Sequence, residues 1–293
     1  MAILKYIFFL YENSKINVHF KEKFYLCEMF WKNITYSILI ILALSIFSSC
    51  SEYQKILKST DYKRKYDKAI ELYEKEDYFR AHSLFEELLS IYKGTEKGEE
   101  IYYYYANCYY GEGDFMMAGY YFKNYSLTYP IGKHKEECNY MAAYCAYLNS
   151  PEPTLDQAYT YKAIDEFQLF INRYPKSERI TKCNEMIDKL RSKLETKSYL
   201  NSKLYFDIGE YKAAIQSLKG SLKGFPDTEY REELLYLIVK ANYLLAQKSV
   251  EIKKKERYQT TVTEYYALIA EFPESRYKKE AERIFENSKN ELN

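Results

Sequence analysis

Ala118, Phe122 and Pro130 stand at offsets 0, 4 and 12, and the same offsets recur at Ala163, Phe167 and Pro175. Ala214, Leu218 and Pro226 repeat them with one aliphatic replacement, and Thr261, Tyr265 and Pro273 repeat them more loosely. Ala81 and Phe85 begin the series, with Lys93 where proline would fall. Residues four apart share one helical face. The alanine lets a second helix approach closely, the aromatic fills the gap beside it, and proline prevents the helix from continuing. Such a chain is constrained to helix pairs that bury their apolar faces only by stacking on one another.

The recurrence marks the second helix of a tetratricopeptide repeat, and the rest of the chain can be placed around it. Repeat one takes helix A from Asp61 to Glu76 and helix B from Tyr78 to Tyr92, with Ala69 twelve residues before Ala81. Repeat two has Tyr102, Ala106 and Tyr109 on helix A and Gly113-Asp114-Phe115 at the turn. In repeat three, Ala163 follows Ala143 after twenty residues rather than twelve, and the excess surrounds the proline-punctuated stretch from Asn149 to Thr154. Repeat five shows the same excess from Ala241 to Thr261, around Lys253-Lys254-Lys255. Ser177 to Ile208 holds neither proline nor glycine, which predicts one long helix of 32 residues. A last amphipathic helix, Ser275 to Glu291, caps the stack as such arrays require. The expected fold is an all-α tetratricopeptide solenoid of about five repeats, with repeats one to three over 61–175 and repeats four, five and the cap over 176–293.

Charge and the N-terminus narrow the function. The 43 basic and 42 acidic residues nearly cancel, against the basic excess of a nucleic-acid binder. Met29 to Asn33, the fourteen-residue, mainly apolar stretch Ile34 to Phe47, and Ser48-Ser49-Cys50 read as a lipoprotein signal over 29–49. The apolar stretch is shorter than the roughly 20 residues of a membrane-spanning helix. Cys50 would be acylated, and 50–60 would be the tether. Residues 1–28 would bury the signal unusually deep, so Met29 is the expected start. Beyond Ser49 the chain carries 38 basic and 39 acidic residues, so recognition has to be local.

Cys27 lies before the signal, while Cys108, Cys138, Cys145 and Cys183 fall on expected helices as small hydrophobes. Cys138 and Cys145 are about 10 Å apart along a helix, too far for a disulfide. The three histidines, His19, His82 and His134, stand singly, and no motif for catalysis, a cofactor or a metal occurs.

A second pattern appears once the repeats are set in register. The helix-A positions expected to face inward carry Tyr66 and Tyr73, then Tyr103 and Tyr110, Tyr140 and Tyr147, and Tyr199 and Phe206; repeat five carries Ile238 and Leu245. Members of each pair are seven residues apart and share a face. Such aromatics could line a groove for an extended peptide, with Asn107 and Tyr144 between them for hydrogen bonding. With 36 tyrosines in the chain, packing between repeats is the competing reading.

The stretch KLRSKLETKSYLNSKLYFDIGEY, Lys189 to Tyr211, resembles the segment joining repeats three and four in the BamD (ComL-like) family of outer-membrane assembly lipoproteins. Arg173-Tyr-Pro175-Lys-Ser177 and Phe225-Pro226-Asp-Thr228 resemble that family's repeat-ending turns, and the likeness runs from Tyr53 to Phe272. The resemblance implies a periplasm-facing lipoprotein of the BAM complex. It implies C-terminal repeats that hold a POTRA domain of a BamA-like barrel subunit, and N-terminal repeats that recognise aromatic-ended segments of unfolded barrel substrates. On that footing Tyr199, Phe206, Lys219 and Lys223 are the residues expected at the barrel subunit, the two lysines standing as substitutes after Ser217, where some family members present a basic residue. A generic repeat scaffold for envelope or cell-wall machinery and a SusD-like glycan-binding lipoprotein are the rival readings.

Overall fold

Each proline of the series falls two residues beyond the last residue of a helix. The computed structural model describes residues 52–293; the leader, the signal, Cys27 and Cys50 lie outside the described residues. A short helical stretch over 52–57 precedes α1 (Tyr62–Glu74), α2 (Tyr78–Ile91), α3 (Glu96–Gly111), α4 (Phe115–Thr128), α5 (Lys135–Leu148) and α6 (Ala158–Arg173). Then follow α7 (Ile180–Asp207), α8 (Tyr211–Gly224), α9 (Arg231–Gln247), α10 (Glu251–Glu271) and α11 (Lys278–Asn290). No strand occurs among the described residues. Pro130, Pro175, Pro226 and Pro273 follow α4, α6, α8 and α10. The residue before each is an aromatic C-cap (Tyr129, Tyr174, Phe225, Phe272) with ψ between 64° and 77°, outside the helical region that a following proline disfavours.

The chain divides by its internal contacts into two parts, after Lys75. In the first, Asp61 caps α1 by accepting the Arg64 N–H at 3.0 Å. The almost fully buried Lys65 donates to the Leu57 carbonyl at 3.0 Å, a cation placed at the C-terminal end of the preceding helical stretch.

In the second part, α2 to α11 pack in chain order, each helix on the next. Ala81, Phe85, Ala118, Phe122, Ala163, Phe167, Ala214, Leu218 and Thr261 are fully buried, and Tyr265 nearly so, as the spacing predicts. Gly113 and Gly209 adopt φ of 80° and 82° at the turns from helix A to helix B, the left-handed conformation that glycine enters without a Cβ penalty. Glu76 takes the same place in the first such turn with φ 59°.

The long helix expected over Ser177–Ile208 is α7, of 28 residues. The expected excess in repeat three forms the α5–α6 loop. Its backbone is satisfied from outside: Lys193 donates to the Ser150 carbonyl at 3.1 Å, and Lys197 to the carbonyls of Pro153 at 3.2 Å and Leu155 at 2.7 Å. In repeat five the excess lengthens a helix. Lys253 to Lys255 lie on α10, which has 21 residues against 14 in α8. Cys108, Cys138, Cys145 and Cys183 are free, buried thiols. Burial pushes Cys145 up to about 12 and Cys183 to about 11.

Candidate functional site

The aromatic positions of the A helices divide into two rows with different surroundings. Tyr103, Tyr140, Tyr199 and Tyr236 form the first. Tyr103 stacks on His134, with ring centroids 3.9 Å apart and planes 14° apart. Arg179 lies over the Tyr140 ring at 4.9 Å. Tyr199 stacks on Tyr230 and Tyr236 on Tyr277, both at 4.2 Å with planes within 10°. His134, Arg179, Tyr230 and Tyr277 are the N-cap residues of α5, α7, α9 and α11, and none of these side chains caps its own helix. Each closes instead on the tyrosine of the preceding A helix. The residue three further on meets that tyrosine's hydroxyl in three cases: Lys182 at Tyr140, Glu233 at Tyr199 and Glu280 at Tyr236.

This joint is polar and charged where it reaches solvent. The Tyr199 hydroxyl donates to Glu233 Oε1 at 2.8 Å, and Lys203 Nζ donates to the Tyr199 oxygen at 3.1 Å. Lys240 repeats the part of Lys203, donating to the Tyr236 oxygen at 3.1 Å and pairing with Glu280 at 2.9 Å. Burial, aided by the Glu280 hydrogen bond, pushes Tyr236 up to about 12. Burial acts to raise Glu233, but the bonds from Tyr199 and Lys203 outweigh it and leave the carboxyl below its ordinary range. The Tyr236 bond, then Lys240, likewise lowers Glu280.

The fifth repeat departs from expectation. Ile238, expected at the inward position, is 1% exposed in the core, and Tyr236 makes the joint instead. The buried residue three places after each tyrosine is Ala106, Ala143, Ser202 and Val239, so counting back from Ala241 reads this helix two residues late. Tyr243, seven after Tyr236, is the partner position rather than Leu245. Sequence reasoning missed the stacking residues, although a signal was present: each lies four residues after the series proline, and its hydroxyl-facing partner lies three further on.

The second row comprises Tyr110, Tyr147, Phe206 and Tyr243, all half-buried. Tyr110 packs on Phe115 at 5.6 Å and Phe206 on Tyr211 at 5.8 Å, each pair bridging the turn to helix B. Tyr110 also reaches Tyr144 across the repeat boundary at 6.4 Å, and Tyr144 stacks on both Tyr140 and Tyr147 at 6.0 Å. Tyr110, Tyr144 and Tyr147 thus form one partly exposed aromatic strip over repeats two and three. Asn107 directs its amide to the Tyr103 carbonyl of its own helix at 2.8 Å. Tyr66 and Tyr73 lie half-buried on α1.

The four residues expected at a barrel subunit occupy different layers. Tyr199 is in the joint and Phe206 in the second row. Lys219 of α8 pairs with Glu264 of α10 at 2.5 Å, binding helix B to helix B as Lys123 of α4 does with Glu166 of α6. Lys223 is exposed, and Ser217 is tied inward to Ser202 at 2.8 Å.

A jointed stack of helix pairs carrying a strip of aromatic side chains is the architecture of a tetratricopeptide-repeat protein. A family model described as YfiO, outer membrane lipoprotein, matches residues 58–258, and the chain belongs to that family. It is 28% identical over 246 residues to a putative outer membrane protein assembly factor BamD of Aquifex aeolicus, covering 83% of this chain and 79% of that one. The BamD of Caulobacter vibrioides is 27% identical over 126 residues, 43% of this chain and 41% of that one. Solved tetratricopeptide structures overlap loosely. The TPR domain of P58(IPK) is 13% identical over 82% of this chain and 67% of that chain, with a TM-score of 0.38. The complex of the yeast Sti1 TPR2AB domain with pHSP90 matches at 12% identity over 78% and 98%, with a TM-score of 0.36. No described helix is long and apolar enough to cross a membrane.

Proposed function

We propose that this chain is an outer-membrane assembly factor of the BAM type, tethered through a lipid on Cys50 and facing the periplasm. It acts as an adaptor without turnover, holding a BamA-like barrel subunit by a POTRA domain and receiving unfolded β-barrel segments. The observation that carries this reading is the family match over 58–258, together with a BamD relative aligned over 83% of the chain. The aromatic strip fits the second task. Tyr110, Tyr144 and Tyr147 offer large, stiff rings at low entropic cost to an extended segment ending in an aromatic residue. Tyr199, Phe206, Lys219 and Lys223 are proposed for the barrel-subunit side of the stack.

Depleting the protein and measuring the outer-membrane proteome tests the assignment. Barrel proteins should fall together while lipoproteins remain. Unchanged barrel levels would sink it and leave the scaffold reading. For the strip, Tyr110→Ala combined with Tyr144→Ala should weaken an aromatic-ended barrel peptide by about tenfold or more, as loss of aromatic anchors does. Unchanged affinity with intact helicity would make those tyrosines packing residues only.

A further inference from the structure

Successive helices joined by short connections run antiparallel, so within Glu76–Asn293 the turns from helix A to helix B share one edge, opposite the proline-marked turns. That edge presents an exposed apolar residue at each turn, but the electrostatic setting changes along it. Met116 sits beside Glu112 and Asp114, and Leu155 between Asp156 and the Lys197 that bonds its carbonyl. At the α9–α10 turn the surroundings become basic: Val250 (65% exposed) and Ile252 (89%) stand among the exposed Lys248, Lys253 and Lys255.

From Lys248 to Arg257 the chain carries five basic and two acidic residues, and one of the acids, Glu251, is paired with Lys254 at 2.5 Å. The turn is held in shape by Arg257, which donates to Ser249 Oγ. Lys248 reaches back over the Tyr211 ring at 4.7 Å, which places the α7–α8 turn beside it, where Ile208 (60% exposed) stands between the exposed acids Asp207 and Glu210. Val250 and Ile252 thus share one corner with a cluster of lysines, where α10 extends beyond the length of the other B helices.

We infer that this corner is a second membrane contact, in which Val250 and Ile252 enter the headgroup region while Lys248, Lys253 and Lys255 meet anionic lipid phosphates. Aliphatic tips rimmed by lysine are the combination that lies on an anionic bilayer, apolar area adding to electrostatic attraction. Glu112 and Asp114 beside Met116, and Asp207 and Glu210 beside Ile208, are repelled by the same surface, so contact is confined to the α9–α10 turn. The inference rests on the proposed outer-membrane location, where a lipid at one end of the chain and this corner near the other would fix the orientation of the stack.

An environment-sensitive fluorophore at Ile252→Cys, with Ile131→Cys on the opposite edge as control, tests it in the full chain. The lipid-bearing protein is reconstituted in vesicles of phosphatidylethanolamine and phosphatidylglycerol containing a spin-labelled quencher lipid, and the same probes are read on chain added to preformed vesicles. The probe at 252 should shift to the blue and be quenched, and that at 131 should not. Replacing Lys248, Lys253 and Lys255 by glutamate should weaken the added chain's membrane partitioning at least fivefold per lysine. A water-like, unquenched 252 probe in both formats overturns the inference, as does shielding of 252 that requires another protein. Flotation of the vesicles reports the lipid anchor separately, so loss of anchoring and loss of the corner contact are distinguishable.

Discussion

The tyrosine joint between repeats four and five yields a quantitative expectation. Tyr199→Phe keeps the flat stack on Tyr230, worth about 0.5–1.5 kcal/mol beyond area burial, and deletes only the hydroxyl, which donates to Glu233 at 2.8 Å and accepts from the exposed end of Lys203 at 3.1 Å. A hydrogen bond to a charged group contributes roughly 1.5–3 kcal/mol. Glu233 retains Lys203 at 3.3 Å and Arg276 at 3.5 Å, and a fifth of its side chain is exposed, so water refills part of the vacated place. The expected loss is therefore at the lower end, about 1.5 kcal/mol. Urea unfolding followed by far-ultraviolet circular dichroism measures it. Glu233→Gln and the double variant complete a cycle that isolates the pair, with an expected coupling near 1 kcal/mol. Tyr199→Leu should cost more than Tyr199→Phe, because it also removes the stack. Coupling below about 0.3 kcal/mol, the tolerance within which independent sites add, would refute the joint as an energetic unit and reduce it to a geometric coincidence.

Phe167→Ala empties a fully buried position of α6, in the core that α6 shares with α5 and α7, and should cost about 3–5 kcal/mol in the same unfolding assay. Glu76→Gly relieves a left-handed residue at φ 59° and should stabilise the chain by roughly 1 kcal/mol, read as a higher melting temperature. Glu233 and Glu280 have depressed carboxyl values, so their stabilisation is complete above the unfolded carboxylate range and disappears as pH falls through the folded values. Melting temperature should therefore drop more steeply below about pH 4.5 in the native chain than in Glu233→Gln/Glu280→Gln.

The repeat stack was legible because alanine, aromatic and proline each act through a local physical constraint: close approach, gap filling and helix termination. Those constraints are written in spacing alone, and the buried alanines and prolines fall where the spacing places them. The sorting of tyrosines was not legible in the same way. Tyr103 and Tyr110 are the same residue type on the same helical face, and only the next repeat decides which is covered. His134, Arg179, Tyr230 and Tyr277 share planarity rather than chemistry, so a search for capping residues, which favours Ser, Thr, Asp and Asn, passes over them. In repeat five the error had a definite cause. Val239 and Ala241 are both buried and small enough to read as the helix-A contact, and only the stack on Tyr277 shows that Tyr236 sets the register.

The joint also changes what the aromatic rows can be asked to do. The first-row tyrosines are committed to neighbouring repeats, so substituting them tests stability before it tests binding. The second row has no comparable lock: Tyr110, Tyr144 and Tyr147 touch one another at 6.0–6.4 Å, edges of a strip that a guest ring can join without breaking a joint. A peptide inserted there would contact two repeats whose relative position is already fixed by the first row, so little ordering cost falls on binding. The same tyrosine-rich composition thus falls into two rows seven residues apart: one stacked on the next repeat, which gives rigidity, and one left half-buried, which is the row proposed for adaptable contact.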